Sequence, residues 1–508
     1  MPLQILMRFF FCFTQMMQLL KHIGYCLCLP VLLLMMCTQC DRHNTYEDKL
    51  VFSSDTVLFD TVFTSVSTIT RNFRVINPTN EPLTIDIRLA GGNQSYYNIN
   101  VDGRSGYEFR GVEIPARDSI FVFVRALINP TDQNTPYLVT DSILFSNDEI
   151  CQQVQLVAFG QDAHFILPDH TSGSMRYSIV AHEHEVTRWT NDKPWVIYDW
   201  AVVDSLGQLI IDPGTRVYVH KAGGLWIYRD GNLQVNGTTE EPVLFAGDRL
   251  EPFFASDYAQ WSRIWINESS HQDNVLNNVI ITNAAIGLQC SSITDYNVSH
   301  HNKTIVNNSI IHNNADVGVL ARAANLEMNN CQISNNQNYS IVMQVGDFNL
   351  NHVTVANYSG HTNPSAVVGN FFDVVTLNAN GEYETVYMVG DANLNCRNSI
   401  IYGNRKEGEF GTSTLEGAHV NYTFQNCIVR KDEFDEHFIS CLNKDPQFVN
   451  NYQQDYNLQE TSPAIDAGMT GLGITTDLLG RLRNGLPDIG AFEYYPAPED
   501  MTRRFSIR

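Results

Sequence analysis

No two aspartates stand side by side anywhere in the 508 residues, and the first forty contain neither Asp nor Glu. Basic residues are scarce as well, 32 against 55 acidic ones. That shortage excludes partners held by neutralised phosphates: nucleic acid and anionic membrane surfaces need clustered Lys and Arg. Eleven cysteines are present, but five lie at or before Cys40. The other six, Cys151, Cys290, Cys331, Cys396, Cys427 and Cys441, are scattered without the close pairs of a zinc site. They read as small apolar fillers.

What is present begins with a targeting segment. The first forty residues carry only Arg8 and Lys21 as basic groups and end in the apolar run "CLCLPVLLLMMC", which is short for a membrane span and suits a signal peptide. Hydrophobicity stops at "TQCDRHNTYED". A cysteine at that switch resembles a bacterial lipoprotein signal, in which the cysteine after the cut carries the lipid. Cys40 is the favoured attachment point because the polar tether, residues 41–49, starts directly behind it; Cys37 is the alternative. An ordinary cleaved secretory signal is the plainer reading. Without Arg8 and Lys21, 30 basic residues face 55 acidic ones, a net charge of −25, so the lipid and not the protein surface would make the membrane contact.

From residue 50 to about 165 the text alternates apolar and polar residues, as in "DSIFVFVRALINP", between Asn-Pro and Gly breaks. About seven short strands predict a β-sandwich. "FRVINPTNEPLTI" resembles the first hairpin of the Ig-like domains grouped with major sperm protein, which implies an Ig-like fold. Residues 166–199 read as a connection. From 200 to 495 the grammar changes to short strands with tight glycine turns, and then to a repeat. "NNVIITN", "NNSIIHN" and "NNCQISN" place Asn278, Asn308 and Asn330 each five residues before Asn283, Asn313 and Asn335. His352, Asn398 and Asn426 continue the series at intervals of 30, 22, 22, 46 and 28 residues. The 46 is close to twice the coil length.

A coil of about 22 residues with an apolar strand and a constant asparagine is the mark of a parallel β-helix. Asparagine tolerates the left-handed conformation at a bend, and its amide can bond the equivalent amide one coil away. These asparagines read as structural, against the alternative of glycan contact. The region resembles the right-handed parallel β-helix family, the pectin-lyase-like superfamily. The predicted fold class is thus all-β: an N-terminal Ig-like β-sandwich, then a right-handed parallel β-helix solenoid, with residues 496–508 as a tail.

Enzymes of that superfamily act on acidic polysaccharides, either with clustered carboxylates or with a basic residue that removes a proton beside a uronate, often with calcium. The hydrolase strings "NTD", "DD" and "GHG" are missing, and the Gly-His at His361 lacks its second glycine. Lys303, Arg322, Arg397, Arg405 and Lys406 are candidate lyase bases near coil turns, or merely solvated charges. "AHEHEV" would put His182 and His184 on one face of a strand, without a third metal ligand in sight. "QWSRIWI" would put Trp261 and Trp265 on one face, for packing or for stacking on sugar rings. No metal site and no cofactor is predicted, with calcium left possible.

The closing block, "DPQFVNNYQQDYNLQETSPAIDAG" with "TTDLLGRLRNGLPDIGAFEY", looks like the C-terminal signature of bacterial surface β-helix proteins of the choice-of-anchor Q type. The resemblance implies export to the cell envelope of a Bacteroidetes-like bacterium, at the outer membrane, facing the periplasm or the outside. Asp466, Asp477 and Asp488 sit beside its glycines and turns. They are expected to cap the last coil by accepting backbone N–H groups. Two functions remain: a non-catalytic glycan-binding or adhesion protein, or a polysaccharide lyase or hydrolase acting in the β-helix groove. The partner in either case is a polysaccharide or glycan, and membrane attachment comes from the N-terminal lipid.

Overall fold

The computed structural model describes residues 50–63, 70–128, 137–148, 150–250, 254–269, 271–292, 301–359, 362–377 and 381–496. The expected signal segment with Cys37 and Cys40, the tether, His361 and nearly all of the tail lie outside them. The chain falls into two compact units, one drawn chiefly from residues before 159 and the other from Phe159 onward.

The first unit consists of two five-stranded sheets. One runs in the order Val51–Phe52, Arg71–Ile76, Ser119–Ala126, Tyr97–Val101, Arg104–Gly106; the other runs Thr56–Phe63, Cys151–Gln161, Tyr137–Ser146, Leu83–Leu89, Glu108–Ile114. Pairing is antiparallel, as between Arg71–Ile76 and Ser119–Ala126 and between Leu83–Leu89 and Glu108–Ile114. Alternation decides which face is buried: Ile85, Ile87 and Leu89 are sealed while Thr84, Asp86 and Arg88 face water. The two apolar faces meet where Phe73 packs edge-on against Phe145, ring centroids 6.2 Å apart. Tyr97 lies in the same layer and donates its hydroxyl to the Val139 carbonyl at 2.8 Å.

The second unit is built on a sheet of 26 strands from His164–Ile166 to Phe438–Ile439, with two small two-stranded sheets beside it. Strands one coil apart pair in parallel, for example Asn274–Asn277 with Lys303–Asn307, and the two long strands Val317–Asn329 and Tyr339–Asn351 with each other. Residues 166–199, expected as a connection, belong to this sheet: Trp195–Val203 pairs in parallel with both His164–Ile166 and Arg216–Ile227. The chain turns there at Gly173, His184 and Asp199, with φ of 59°, 62° and 64°, so its bends lack a constant residue type. The 46-residue interval is likewise one coil, since Asn351 registers directly with Arg397. Its excess is the antiparallel hairpin of Phe371–Leu377 with Tyr383–Val389.

From Asn278 to Asn426 each coil changes direction at the same place, and a left-handed residue does it. Asn278, Asn308, Asn330, His352, Asn398 and Asn426 have φ between 46° and 58°. Asn283, Asn313 and Asn335 repeat the device at the next corner with φ of 64°, 55° and 50°. Asparagine accepts this conformation at low cost, whereas most residues lose about 1–2 kcal/mol. Stacking then adds bonds along the ladder: the Asn330 amide donates to Asn308 Oδ1 at 2.7 Å, and Asn398 Nδ2 lies 2.9 Å from His352 Nε2. One residue on, the side chain turns inward, and Ser309 and Ser399 accept the Val279 and Val353 backbone N–H groups at 3.0 Å.

Inside the coils a continuous apolar core runs from Ala181 and Trp189 to Cys427 and Phe438. Aromatic rings close its far end: Phe438 stacks on Phe424 with centroids 4.8 Å apart, and Phe434 stacks on Phe438 at the same spacing. Removing a ladder amide should separate its two contributions. Asn308→Gly keeps the bend and loses the amide bond, and is expected to cost about 1 kcal/mol. Asn308→Ala also forces alanine to positive φ, and should cost about 2–3 kcal/mol in all. Urea midpoints of the two variants, compared with wild type, read the difference.

Candidate functional site

One face of the coils is polar through strand alternation alone. Thr304, Val306, Leu326, Met328, Phe348, Leu350, Leu394, Cys396 and Phe424 are turned inward and buried. The residues between them point out, in three rows fixed by the parallel register. The first is Lys303, Asn325, Asp347, Asn393, Asn421; the second Ile305, Glu327, Asn349, Asn395, Thr423; the third Asn307, Asn329, Asn351, Arg397, Gln425. Asn277 precedes Asn307 in the third row. Here the amides form an unbroken chain: Asn307 donates to Asn277 at 2.9 Å, Asn329 to Asn307 at 3.0 Å, and Asn351 to Asn329 at 2.9 Å. The sequence reading singled out the second asparagine of each "NN" pair, which makes the bend. It missed the first, whose side chain builds the outer face.

A depression of about 310 Å³ opens on this face, lined by Lys303, Asn325, Leu326, Asp347, Asn349 and Asn395. Its two charged side chains, Lys303 and Asp347, both have polar partners. Lys303 Nζ lies 2.9 Å from Glu327 Oε2, and Asn329 donates to the other Glu327 oxygen at 3.1 Å. These bonds hold the Glu327 carboxyl below its ordinary range, and the same glutamate raises Lys303. Asp347 accepts an amide N–H from Asn393 at 2.8 Å. A general acid must hold its proton near neutrality, and a general base must be able to lose one. Both shifts run the opposite way, so the pair is built to stay charged and to offer hydrogen bonds.

Of the five cations considered as bases, only Lys303 lines the depression. Arg397 lies in the third row, 3.5 Å from Asn351 Oδ1. Arg322 belongs to another face, donating to Gln344 Oε1 at 2.9 Å and standing 3.9 Å from Asp373. Arg405 is spent on the carbonyls of Thr362 and Gly408, and Lys406 is exposed. They do not converge. His182 and His184 sit in a tight turn, not on a strand: Glu185 N donates to the His182 carbonyl, and His184 has φ 62°. Among the described residues no three His, Cys, Asp or Glu side chains come together as a metal would require.

Trp261 and Trp265 do not share a face. Trp261 is buried in the coil core and donates its indole N–H to the Thr282 carbonyl at 2.8 Å, because only an isolated bridge to Ala284 pairs its backbone and the regular strand starts at Ile264. It is therefore closed to sugar. Trp265 does point outward, but its ring lies 4.9 Å from that of Trp226, nearly parallel at 9°. Each ring covers one face of the other, and the indole N–H groups are taken by Asn267 and Ser291. The partner of Trp265 is Trp226, one coil earlier and 39 residues back, a spacing hidden by the longer coils of that region.

The three aspartates do not close the last coil, which ends under Phe434 and Phe438 as described. The segment that carries them runs along the flank of the coils and reads the bend ladder. Asn330 accepts from Arg483 Nη2 at 2.8 Å and donates to the Thr476 carbonyl; Asn398 accepts from Met469 N at 2.7 Å; Asn426 donates to the Ala467 carbonyl at 3.0 Å. Within the segment, Asp477 accepts from the backbone N–H groups of Leu479, Arg481 and Glu493, and Asp488 from those of Asp466 and Tyr494. Asp466 is exposed and only its backbone takes part. Arg483 and Glu493, both almost wholly buried, pair at 3.2 Å beneath the turn. The aspartates knit a strap, and the strap is fastened to the ladder.

No protein-family model matches this chain, and none of the curated proteins matches it. Among solved structures it is similar to a family 123 glycoside hydrolase from Clostridium perfringens, at 8% identity over 23% of this chain and 30% of that one, TM-score 0.18. A C. elegans MSP family member matches at 8% identity over 22% of this chain and 99% of its own, TM-score 0.16. The catalytic domain of a GH87 α-1,3-glucanase in complex with nigerose matches at 10% identity over 74% of this chain and 87% of its own, TM-score 0.14. The chain thus spans less than a third of the Clostridium enzyme. Scores this low support no argument about activity.

One buried histidine, His352, and one half-buried, His312, make the strap sensitive to acid. Burial pushes His312, which meets Gln454, from 6.5 to about 4. Burial, with the Arg483 charge nearby, pushes His352, which meets the Gly490 carbonyl, to about 3. Depressed histidines contribute stability above their unfolded value of 6.5 and lose it as pH falls below that toward 4 and 3. Asp488 works the other way: burial raises it from 3.8 to about 6, so its contribution grows as pH falls through that window. Two groups outweigh one, and urea midpoints should drop between pH 7.5 and pH 5, by about 2 kcal/mol per histidine. His352→Asn, which places the ladder's usual residue at that bend, should remove half of the histidine effect. An unchanged pH slope in that variant would contradict the assignment.

Proposed function

We propose that this protein is an exported, lipid-anchored protein of the bacterial cell envelope. In this reading an Ig-like β-sandwich precedes a right-handed parallel β-helix of the pectin-lyase-like kind, whose polar face binds a glycan without cleaving it. One observation carries the binding-only reading. The depression on the polar face is lined by amides, by Asp347 and by Lys303, which pairs at 2.9 Å with Glu327 beside it, Glu327 shifted down and Lys303 shifted up. Neutral amide rows offer both donors and acceptors in fixed positions, which suits sugar hydroxyls. Such a site recognises hydroxyl patterns, and neither member of the Lys303–Glu327 pair is shifted toward moving a proton.

Export and lipid attachment rest on the apolar run before Cys40 and the polarity switch after it. The matched pairing along the 26-strand sheet and its asparagine bends support the β-helix reading.

Two experiments test this. A panel of neutral and uronate-containing polysaccharides, incubated with the protein, should show binding with no unsaturated uronate product by ultraviolet absorbance and no new reducing ends. Asn325→Ala and Asp347→Ala should each weaken binding about tenfold, with a stability loss of no more than about 1 kcal/mol for the internal hydrogen bond each gives up. Product release that is lost in Lys303→Ala would replace binding by a lyase. For the anchor, intact mass of the membrane-extracted protein should show a lipid-modified N-terminus at Cys40, and an unmodified N-terminus would refute lipidation.

A further inference from the structure

Three thiols meet at the last turns of the coil stack. Cys427 Sγ lies 3.9 Å from Cys396 Sγ, and the Cys441 thiol meets the Phe424 carbonyl at 3.5 Å. Cys427 and Cys441 hold equivalent places: each follows the left-handed residue of its coil, Asn426 at φ 52° and Ser440 at φ 54°. The next residues, Ile428 and Leu442, form a parallel bridge, and Leu442 N donates to the Cys427 carbonyl at 2.8 Å. Neighbouring parallel positions stand about 4.8 Å apart at Cα, inside the span of about 4.4–6.8 Å that a disulfide needs. Cys396 does not share this register, since it pairs with Phe424, three residues before Cys427. Closeness of sulfur alone therefore does not choose the bond, and the backbone register does.

We propose that Cys427 and Cys441 are an oxidisable pair that forms a disulfide across the last two coils, stapling the end of the stack. Cys441 is partly exposed while Cys427 is buried, which sets the order of events. A disulfide oxidant enters at Cys441: its thiolate attacks one oxidant sulfur, a mixed disulfide forms and one thiol leaves. Cys427 then gives up its proton and attacks the Cys441 sulfur, the protein disulfide forms and the second oxidant thiol leaves. Two cysteines are oxidised and one disulfide is reduced to two thiols. The bond would hold the final strand, Phe438–Ile439, against Val420–Gln425, with which it pairs, and with it the aromatic rings that close the core.

The test uses the whole protein incubated with oxidised glutathione or with a reductant, then alkylated after unfolding and mapped as peptides. Oxidation should yield the Cys427–Cys441 linked peptide and leave Cys290, Cys331 and Cys396 alkylated. The oxidised form should melt at least about 2 °C higher than the reduced one. Cys441→Ser should lose both the link and the shift while Cys396→Ser keeps both. Serine already occupies the equivalent position at Ser309 and Ser399, so the variant is compatible with the fold. A Cys396–Cys427 link, a glutathione adduct left at Cys441, or a link without a melting shift would each overturn the proposal.

Discussion

A chain that stacks parallel strands coil on coil must turn at the same place each time, and the turn demands a residue at positive φ. That constraint organises the coils from Asn278 to Asn426. Six bends between Asn278 and Asn426 meet it with five asparagines and one histidine, all with φ of 46–58°. Because the bends are in register, their side chains fall into a column, and a column of amides bonds to itself. The residue after each bend is then forced inward, and it must be small or apolar: Val279, Ser309, Cys331, Val353, Ser399, Cys427. The residue before it points outward, which creates the second amide column of Asn277, Asn307, Asn329 and Asn351. Core, ladder and outer face all follow from one backbone requirement.

The C-terminal strap uses the same column for another purpose. The ladder amides retain bonding capacity on their free side, and the strap fills it with Arg483, Met469, Ala467 and Thr476. His352 replaces asparagine at the point where the Gly490 carbonyl approaches. The strap therefore binds a surface that exists only when several coils are stacked, and it ties residues more than 130 positions apart. The Asn330 contact with Arg483 spans 153 residues. Such links couple the integrity of distant coils, against the tendency of a repeat array to open one coil at a time.

Much of this architecture was legible in the residues, for a physical reason. Left-handed bends restrict identity, so Asn278, Asn308 and Asn330 announced the coils through their spacing. Where a bend used a residue without that mark, as at Asp199, the coil went unread, and where a hairpin was inserted, one coil looked like two. The site was less legible. The depression gathers Lys303, Asn325 and Asp347 at the 22-residue interval, but their residue types differ from coil to coil, and the inserted hairpin displaces Asn395 from that interval. Trp261 and Trp265 misled because the strand begins only at Ile264, and alternation cannot be counted across its start. Asp477 and Asp488 accept backbone N–H groups as expected, whereas the exposed Asp466 carboxylate does not. Their place on the flank depends on contacts that no local pattern encodes.

The central claim is that the polar face recognises a glycan through amides and permanently charged side chains. Glu327 held low and Lys303 held high leave that pair unchanged in charge near neutrality. Titration calorimetry of the best-binding glycan across about pH 6.5 to 8.5, a window above the histidine transition, tests this most directly. The account predicts an affinity that is flat within about twofold and no heat from continuing turnover. A bell-shaped dependence, or a steady heat signal that persists after saturation, would contradict it.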